Sequence, residues 1–263
     1  MKRRDVNPER PTHQDQRLLS FGNAADGVGE AIDDLRVRIL PNQRQEERIN
    51  GLLSDLKAGR RVNDFRFDEL FPPLIRKLSG IHWTPVAVAV RAAELLAAGV
   101  ESHILDIGSG CGKFCFIGAL TTGSRFTGVE QREYLVETAR RIAGRWEITN
   151  ASFIHSNMIN LDWNSFNGFY LFNPFYENIT REIRLDDDVS LNEEKYRGYI
   201  KFVEEKLEDL AYGTRVVTYH GFGGQMPKGY ECVLREPAGT SQVELWIKMA
   251  NGNCLVSPGT KKG

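Results

Sequence analysis

The sequence predicts an α/β fold: a mostly parallel sheet, an antiparallel hairpin closing its C-terminal edge, and a helical N-terminal extension. Three observations lead there. After residue 100, short β-branched runs alternate with helical stretches, the pattern of βαβ units and a parallel sheet. The first of these runs enters a loop with glycines at 108, 110 and 112, followed at once by an apolar helix. Near the C-terminus the alternation stops, and two strand-like runs are joined by a short turn.

Taken in order, residues 1–28 are polar and read as a flexible arm. The helical extension spans 29–99. Ile32, Leu35 and Ile39, then Ile49, Leu52, Leu53 and Leu56, recur at helical spacing, with a break near Pro41. A second helical segment covers FDELFPPLIRKL. A third, over 84–98, has Thr84 as N-cap, Pro85 at the first helical position and Gly99 as its end. The α/β domain covers 100–250. Its strands are expected at His103–Ile107, Arg125–Glu130, Ala151–His155, Phe169–Phe172 and Thr214–Tyr219, with helices near 112–121, 132–144 and 193–211. Tyr230–Arg235 and Gln242–Met249 form the closing hairpin, and 251–263 a tail.

Composition excludes several classes. The 263 residues are 41% hydrophobic and 26% charged, ordinary for a soluble globular chain. Net charge is −1, so net positive charge does not hold this chain to nucleic acid. No apolar run reaches the roughly 18–20 residues of a membrane span. The basic start MKRR lacks the apolar core of a secretory signal. Cys111, Cys115, Cys232 and Cys254 have neither redox nor zinc spacing, and no metal site is expected; reduced thiols in a cytoplasmic protein fit them. Residues 181–209 hold six basic and ten acidic residues. They read as a solvated loop and helix face, or as a lid that disfavours polyanions.

The loop HILDIGSGCGKF carries the strongest local signal. Glycines after a parallel strand allow a tight turn and close approach to a ligand. A dinucleotide fingerprint needs glycine at position 113, which is Lys113. A phosphate-binding loop needs glycine at 107 and Ser or Thr at 114, which are Ile107 and Phe114. Glu130 ends the next strand, 22 residues after Gly108, where an acid typically accepts ribose hydroxyls. The pocket therefore wants an adenosine-like ligand without a pyrophosphate. Lys113 is expected to be a solvated residue at the helix start.

The run Asp106-Ile-Gly-Ser-Gly-Cys-Gly112, followed by Phe126-Thr-Gly-Val-Glu130, resembles the first two motifs of class I S-adenosylmethionine-dependent methyltransferases, over roughly residues 80–250. The resemblance implies a Rossmann-like sheet with an inserted antiparallel strand, and S-adenosylmethionine as cofactor. It implies that Asp106, Gly108, Ser109, Gly110 and Gly112 line the cofactor and that Glu130 holds its ribose. Asn157 and Met158, after the third strand, take the place beside the adenine; an amide stands where the usual acid would be, and Asn157 reads equally as a turn residue. Thr84 and Pro85 resemble the segment that touches the methionine carboxylate. His82 and Trp83 then face the target cavity, or else simply pack the helix cap.

The fourth strand ends in Asn173-Pro174-Phe175-Tyr176, similar to the Asn-Pro-Pro-Tyr tetrad of amino-directed methyltransferases, with Phe175 in place of the second proline. In that family the Asn side chain and the first Pro carbonyl accept hydrogen bonds from the target nitrogen, and the aromatic residue stacks on the target. The strand end is also similar to histone-lysine methyltransferases of the same fold, whose target must first lose a proton; Glu177, His82 and Tyr176 are the candidates for that. Phe175, Tyr176 and Trp83 build an aromatic wall that favours a sulfonium charge. His155 and His220 read as structural histidines. The expected reaction is methyl transfer to an amine or amide nitrogen, preferably of a protein side chain. Adenine N6 in nucleic acid, a small amine, and a non-catalytic cofactor-binding scaffold are the alternatives.

Overall fold

The computed structural model describes residues 43–99, 101–180, 185–186 and 188–250. The expected arm, the helical pattern at Ile32, Leu35 and Ile39, the break at Pro41, Cys254 and the tail lie outside the described residues. Strands run in the order β3-β2-β1-β4-β5-β7-β6. They are β1 His103–Ile107, β2 Arg125–Glu130, β3 Ala151–His155, β4 Gly168–Phe172, β5 Arg215–Tyr219, β6 Tyr230–Ala238 and β7 Ser241–Lys248. The first five pair in parallel, and β7 inserts antiparallel between β5 and β6. The β6–β7 turn is tighter than the expected EPAGTS connection, with Gly239 in left-handed backbone.

Seven α-helices are described: α1 Gln43–Lys57, α2 Asp64–Phe67, α3 Pro73–His82, α4 Val86–Leu96, α5 Lys113–Thr122, α6 Glu133–Arg145 and α7 Glu193–Asp209. Helices α4, α5 and α6 cover one face of the sheet, and α1 lays Ile49, Leu52, Leu53 and Leu56 into the same core. Helix α7 covers the other face through Val203 and Leu207. Alternate side chains of β1 obey this division: Ile104 joins the first core, Leu105 and Ile107 the second. Helix α5 is buried from Lys113 to Leu120, because the sheet lies on one side and α1 and α4 on the other. Among the described residues no helix is long and apolar enough to cross a membrane.

Two helix starts differ from expectation. FDELFPPLIRKL is not one segment: a 3-10 turn over Asp68–Leu70 follows α2, extended Phe71 and Pro72 interrupt it, and Pro73 opens α3. Helix α4 begins at Val86, not at Thr84, and Pro85 occupies the cap position. The Val86 N–H is received by Asp64 Oδ1 at 3.0 Å, so an acid 22 residues upstream caps this helix. Thr84 is free for other work, and its hydroxyl meets that of Tyr170 at 2.8 Å. The helix ends at Leu96 with Ala97 as its C-cap, short of Gly99.

Candidate active site

The sheet reverses its winding between β1 and β4, and open α/β sheets bind ligands at such a crevice, beyond the strand carboxyl ends. A cavity of about 430 Å³ lies there. Its wall is drawn from the α3–α4 junction, the glycine loop, the ends of β2, β4 and β5, and the segment before α7.

The glycine loop leaves β1 with Gly108, Gly110 and Gly112 all at positive φ, at 75°, 54° and 85°. A side chain at Gly108 would sit 3.2 Å from Pro174 Cβ, and one at Gly110 would sit 2.3 Å from Trp83 Nε1. Both glycines are therefore needed for conformation and for close approach. The loop's amides turn inward. Gly108 and Ser109 donate to the Val129 carbonyl, and Gly110 donates to Glu130 Oε2. This is why the loop lacks the amide cradle of a phosphate site, in agreement with the failed spacings.

Glu130 lines the cavity at the end of β2, and its Oε1 accepts the Gln131 and Arg132 N–H groups. Arg132, 7% exposed, contacts three carboxylates: Glu177 at 2.7 Å, Asp186 at 2.9 Å and Glu130 at 3.8 Å. Burial works against its charge, but Glu177, Glu130 and Asp186 outweigh that and raise its pKa. Asp186 also accepts from Tyr134. Asp186 thus anchors the segment before α7, and Leu185, Val189 and Leu191 form part of the cavity wall. Residues 185 and 186 are not solvated: Leu185 is buried and the Asp186 side chain is almost wholly enclosed.

The tetrad follows β4 and lines the same cavity. Asn173 follows β4 at φ 39°, uncommon for any residue but glycine. Its N–H donates to the Gly221 carbonyl at 2.8 Å. Its side-chain amide has no hydrogen-bond partner among the described residues and lines the cavity. Asparagine is among the non-glycine residues enriched in such backbone, and here the turn brings it to the cavity wall. Phe175 is buried and meets Tyr199 at 5.3 Å, while Tyr176 is exposed at the cavity. His82, Trp83 and Pro85 come from the extension and line the same space. Burial, with Arg132 adding to it, lowers the His82 pKa to about 4, so the imidazole is neutral at pH 7. Its Nδ1 is 4.0 Å from Glu177 Oε1, and burial raises the pKa of that carboxyl.

A small polar cavity adjoins the main one, lined by Thr84, Asp106, Ser109, Lys113 and Tyr170 among others. Burial pushes the Asp106 pKa up to about 7. Ser109 Oγ is buried without a partner. These groups suit the charged amino-acid end of a ligand, since an ammonium beside Asp106 restores its carboxylate.

Other expected residues lie elsewhere. Asn157 caps a 3-10 turn through Ile159 N and donates to Gln131 and Tyr199, so its side chain is committed to the turn; Ser156 and Met158 face the cavity. Gly112 packs under the Phe153 ring at the start of α5. Lys113 corrects the expectation of a solvated residue. It is 2% exposed, and Nζ meets Asp64 at 2.7 Å, Asp68 at 2.9 Å and Ser79 at 2.9 Å. His155 Nε2 donates to the Gln131 carbonyl at 3.0 Å, as a structural histidine would. His220, expected to be structural, follows β5 at φ 56° and lines the cavity. No local spacing in the sequence marks Arg132 as a cavity residue.

Residues 99–179 match a family model described as a methyltransferase domain. The chain carries a methyltransferase domain. Its cofactor is S-adenosylmethionine, and the left-handed glycines, Glu130 and the unpartnered Ser109 hydroxyl fit that group. No curated protein sequence matches the chain. Among solved structures, TrmN from Thermus thermophilus is similar at 19% identity and TM-score 0.50, over 66% of this chain and 52% of that one. An RNA methyltransferase from Salinibacter ruber, in complex with S-adenosyl-L-homocysteine, is similar at 22% identity and TM-score 0.46, over 63% of this chain and 93% of that one. A SAM-dependent methyltransferase from Aquifex aeolicus is similar at 13% identity and TM-score 0.43, over 72% and 100%. The likeness to TrmN carries the fold alone.

Proposed function

We propose that this chain transfers a methyl group to a nitrogen atom of a protein side chain, with Asn173 and Pro174 holding that nitrogen. One observation carries the reading. Asn173 stands at the end of β4 in left-handed backbone, its amide unpartnered on the cavity wall, and Pro174 packs against Gly108 of the cofactor loop. Donor and acceptor sites thereby share a wall.

The bound cofactor supplies a sulfonium-activated methyl group. Toward it, Glu130 would hold the ribose, Ser156 and Met158 the adenine side, and Asp106, Ser109 and Thr84 the amino-acid end. Asn173 Oδ1 and the Pro174 carbonyl accept N–H bonds from the acceptor and aim its lone pair. Tyr176 and Trp83 enclose it. The residues contribute orientation and exclusion of water, the largest part of the advantage in an in-line transfer.

A protein acceptor is favoured by the charge of the wall. Among the described residues Glu130, Glu177 and Asp186 surround one guanidinium, which opposes a phosphate-bearing chain. The test is transfer of labelled methyl into a cell lysate, with samples then treated with protease or nuclease. Asn173→Gly is the control, because glycine keeps the left-handed backbone while removing the amide. Protease-sensitive label, reduced about 10²-fold in the variant, is the expected result. Label removed only by nuclease would replace the protein side chain with a base as acceptor. Full transfer by the variant would remove Asn173 from the mechanism.

A further inference from the structure

His220 has no role in the transfer proposed above, yet it lines the cavity and stays open to it. Strand register places it beside the acceptor turn. Phe172 of β4 pairs with Tyr219 of β5, so the next residues on the two neighbouring strands are Asn173 and His220. Both stand in left-handed backbone, at φ 39° and 56°, a conformation that Asn and His tolerate better than most residues. The two turns are clamped together, since the Asn173 N–H donates to the Gly221 carbonyl at 2.8 Å. The chain after His220 is pinned as well. Phe222 is buried in the core shared with α7, and a side chain at Gly223 would sit 2.3 Å from the Tyr196 hydroxyl of α7. His220 therefore keeps a fixed place next to Asn173.

Strand order decides what His220 faces. Along the sheet β1 is followed by β4, β5 and β7, so the turn holding Asn173 lies between the glycine loop and His220. A cofactor seated on that loop meets Asn173 from one side, and an acceptor held by Asn173 stands between it and His220. The imidazole is itself held in one orientation. Its ring centre is 4.5 Å from that of Tyr219 and 5.7 Å from that of Phe172, and Nε2 is 3.3 Å from Thr240 Oγ1 in the β6–β7 turn. Nδ1 has no hydrogen-bond partner among the described residues. An imidazole tethered through one nitrogen and open at the other has one hydrogen bond left for a ligand. Resting on the nitrogen-transfer reading above, we propose that His220 is an acceptor-binding residue. Its Nδ1 makes a hydrogen bond with the protein segment that carries the reacting nitrogen, on the side of Asn173 away from the cofactor. Phe172 and Tyr219, which line the same stretch of cavity, give that segment an aromatic surface to lie on. Burial lowers the His220 pKa, so the ring is neutral at pH 7 and does not repel a cationic acceptor.

The full chain is titrated with lysate protein at saturating labelled S-adenosylmethionine, and protease-sensitive label is counted. Two variants separate the nitrogens of the ring. His220→Gln puts an amide where Nε2 stands, within reach of Thr240, and leaves nothing at Nδ1. His220→Asn puts an amide where Nδ1 stands, tolerates the left-handed backbone, and gives up the link to Thr240. His220→Gln is expected to raise the half-saturating concentration of lysate protein about tenfold, as for one lost hydrogen bond, with the maximal rate held. His220→Asn is expected to recover most of that loss. Binding of S-adenosylhomocysteine and the melting temperature serve as fold controls. The reverse ranking, or an equal loss in both variants, would make His220 a structural residue and overturn the proposal. So would no change in either variant, or a fall in maximal rate alone. A failed ranking with protease-sensitive label leaves the nitrogen-transfer reading standing. Label removed only by nuclease overturns the protein acceptor and, with it, the partner assigned to His220.

Discussion

Asp106 and His82 are buried within the same part of the site and titrate in opposite senses. Burial raises Asp106 from 3.8 to about 7, so between those values the native state holds a proton that the unfolded chain releases. Its contribution to stability therefore falls as pH rises through that window. Burial lowers His82 from 6.5 to about 4, so there the unfolded chain holds the extra proton, and stability rises with pH across that span. The two slopes oppose each other between about pH 4 and 6.5; from there the Asp106 slope alone remains and dies away above about pH 7. Urea unfolding across this range is expected to show a shallow profile for the wild type, then a loss toward pH 8. Asp106→Asn should rise more steeply from pH 4 to 6.5 and hold its stability at pH 8, a difference on the order of a few kcal/mol. Parallel curves for the two proteins would place the titration elsewhere.

At the scale of elements, the helical extension is fastened to the cofactor loop by a charge cluster. Lys113 opens α5 directly after Gly112, and its amine is enclosed by Asp64, Asp68 and Ser79 of the extension. Asp64 also caps α4 through Val86, so one carboxylate sets the position of two helices. Lys113→Met is expected to cost about 3 kcal/mol in urea unfolding, since Asp68 keeps its burial and loses its cation. Adding Asp68→Asn should recover part of that loss; no recovery would mean the carboxylate is not what suffers. The same cluster explains what the sequence discloses and what it hides. Strands at 103–107, 125–130 and 151–155 are legible residue for residue, because central parallel strands are short β-branched runs bounded by polar turns. The glycine loop and the position of Asn173 at a strand end are legible for the same reason: they depend on neighbours in the chain. Lys113 reads as solvated and Thr84 as a cap because their true partners, Asp68 and Tyr170, lie 45 and 86 residues away. Asn157 sits where an adenine contact is expected, but Tyr199 of α7 engages its amide.

For the whole molecule, the site joins parts that are remote in the chain. The cofactor loop follows β1, the acceptor turn follows β4, and His82 and Trp83 come from the extension. Trp83 is the closest link, since its indole lies where a side chain at Gly110 would stand, and its ring meets Phe71 of the extension at 5.8 Å. A ligand seated on the loop should therefore resist unfolding of the extension together with the sheet. At a concentration of S-adenosylhomocysteine about 100 times its dissociation constant, the gain in unfolding free energy is expected to be about 2.7 kcal/mol. Trp83→Ala opens a cavity worth about 3–5 kcal/mol and leaves Gly110 without the surface that holds its left-handed turn. The variant should thus lose stability without ligand and, at the same ligand concentration, also lose most of the gain. Urea titrations with and without ligand separate the two effects. A variant that is less stable yet gains the full 2.7 kcal/mol would make Trp83 a packing residue only, and the extension a cover over a cofactor site complete without it.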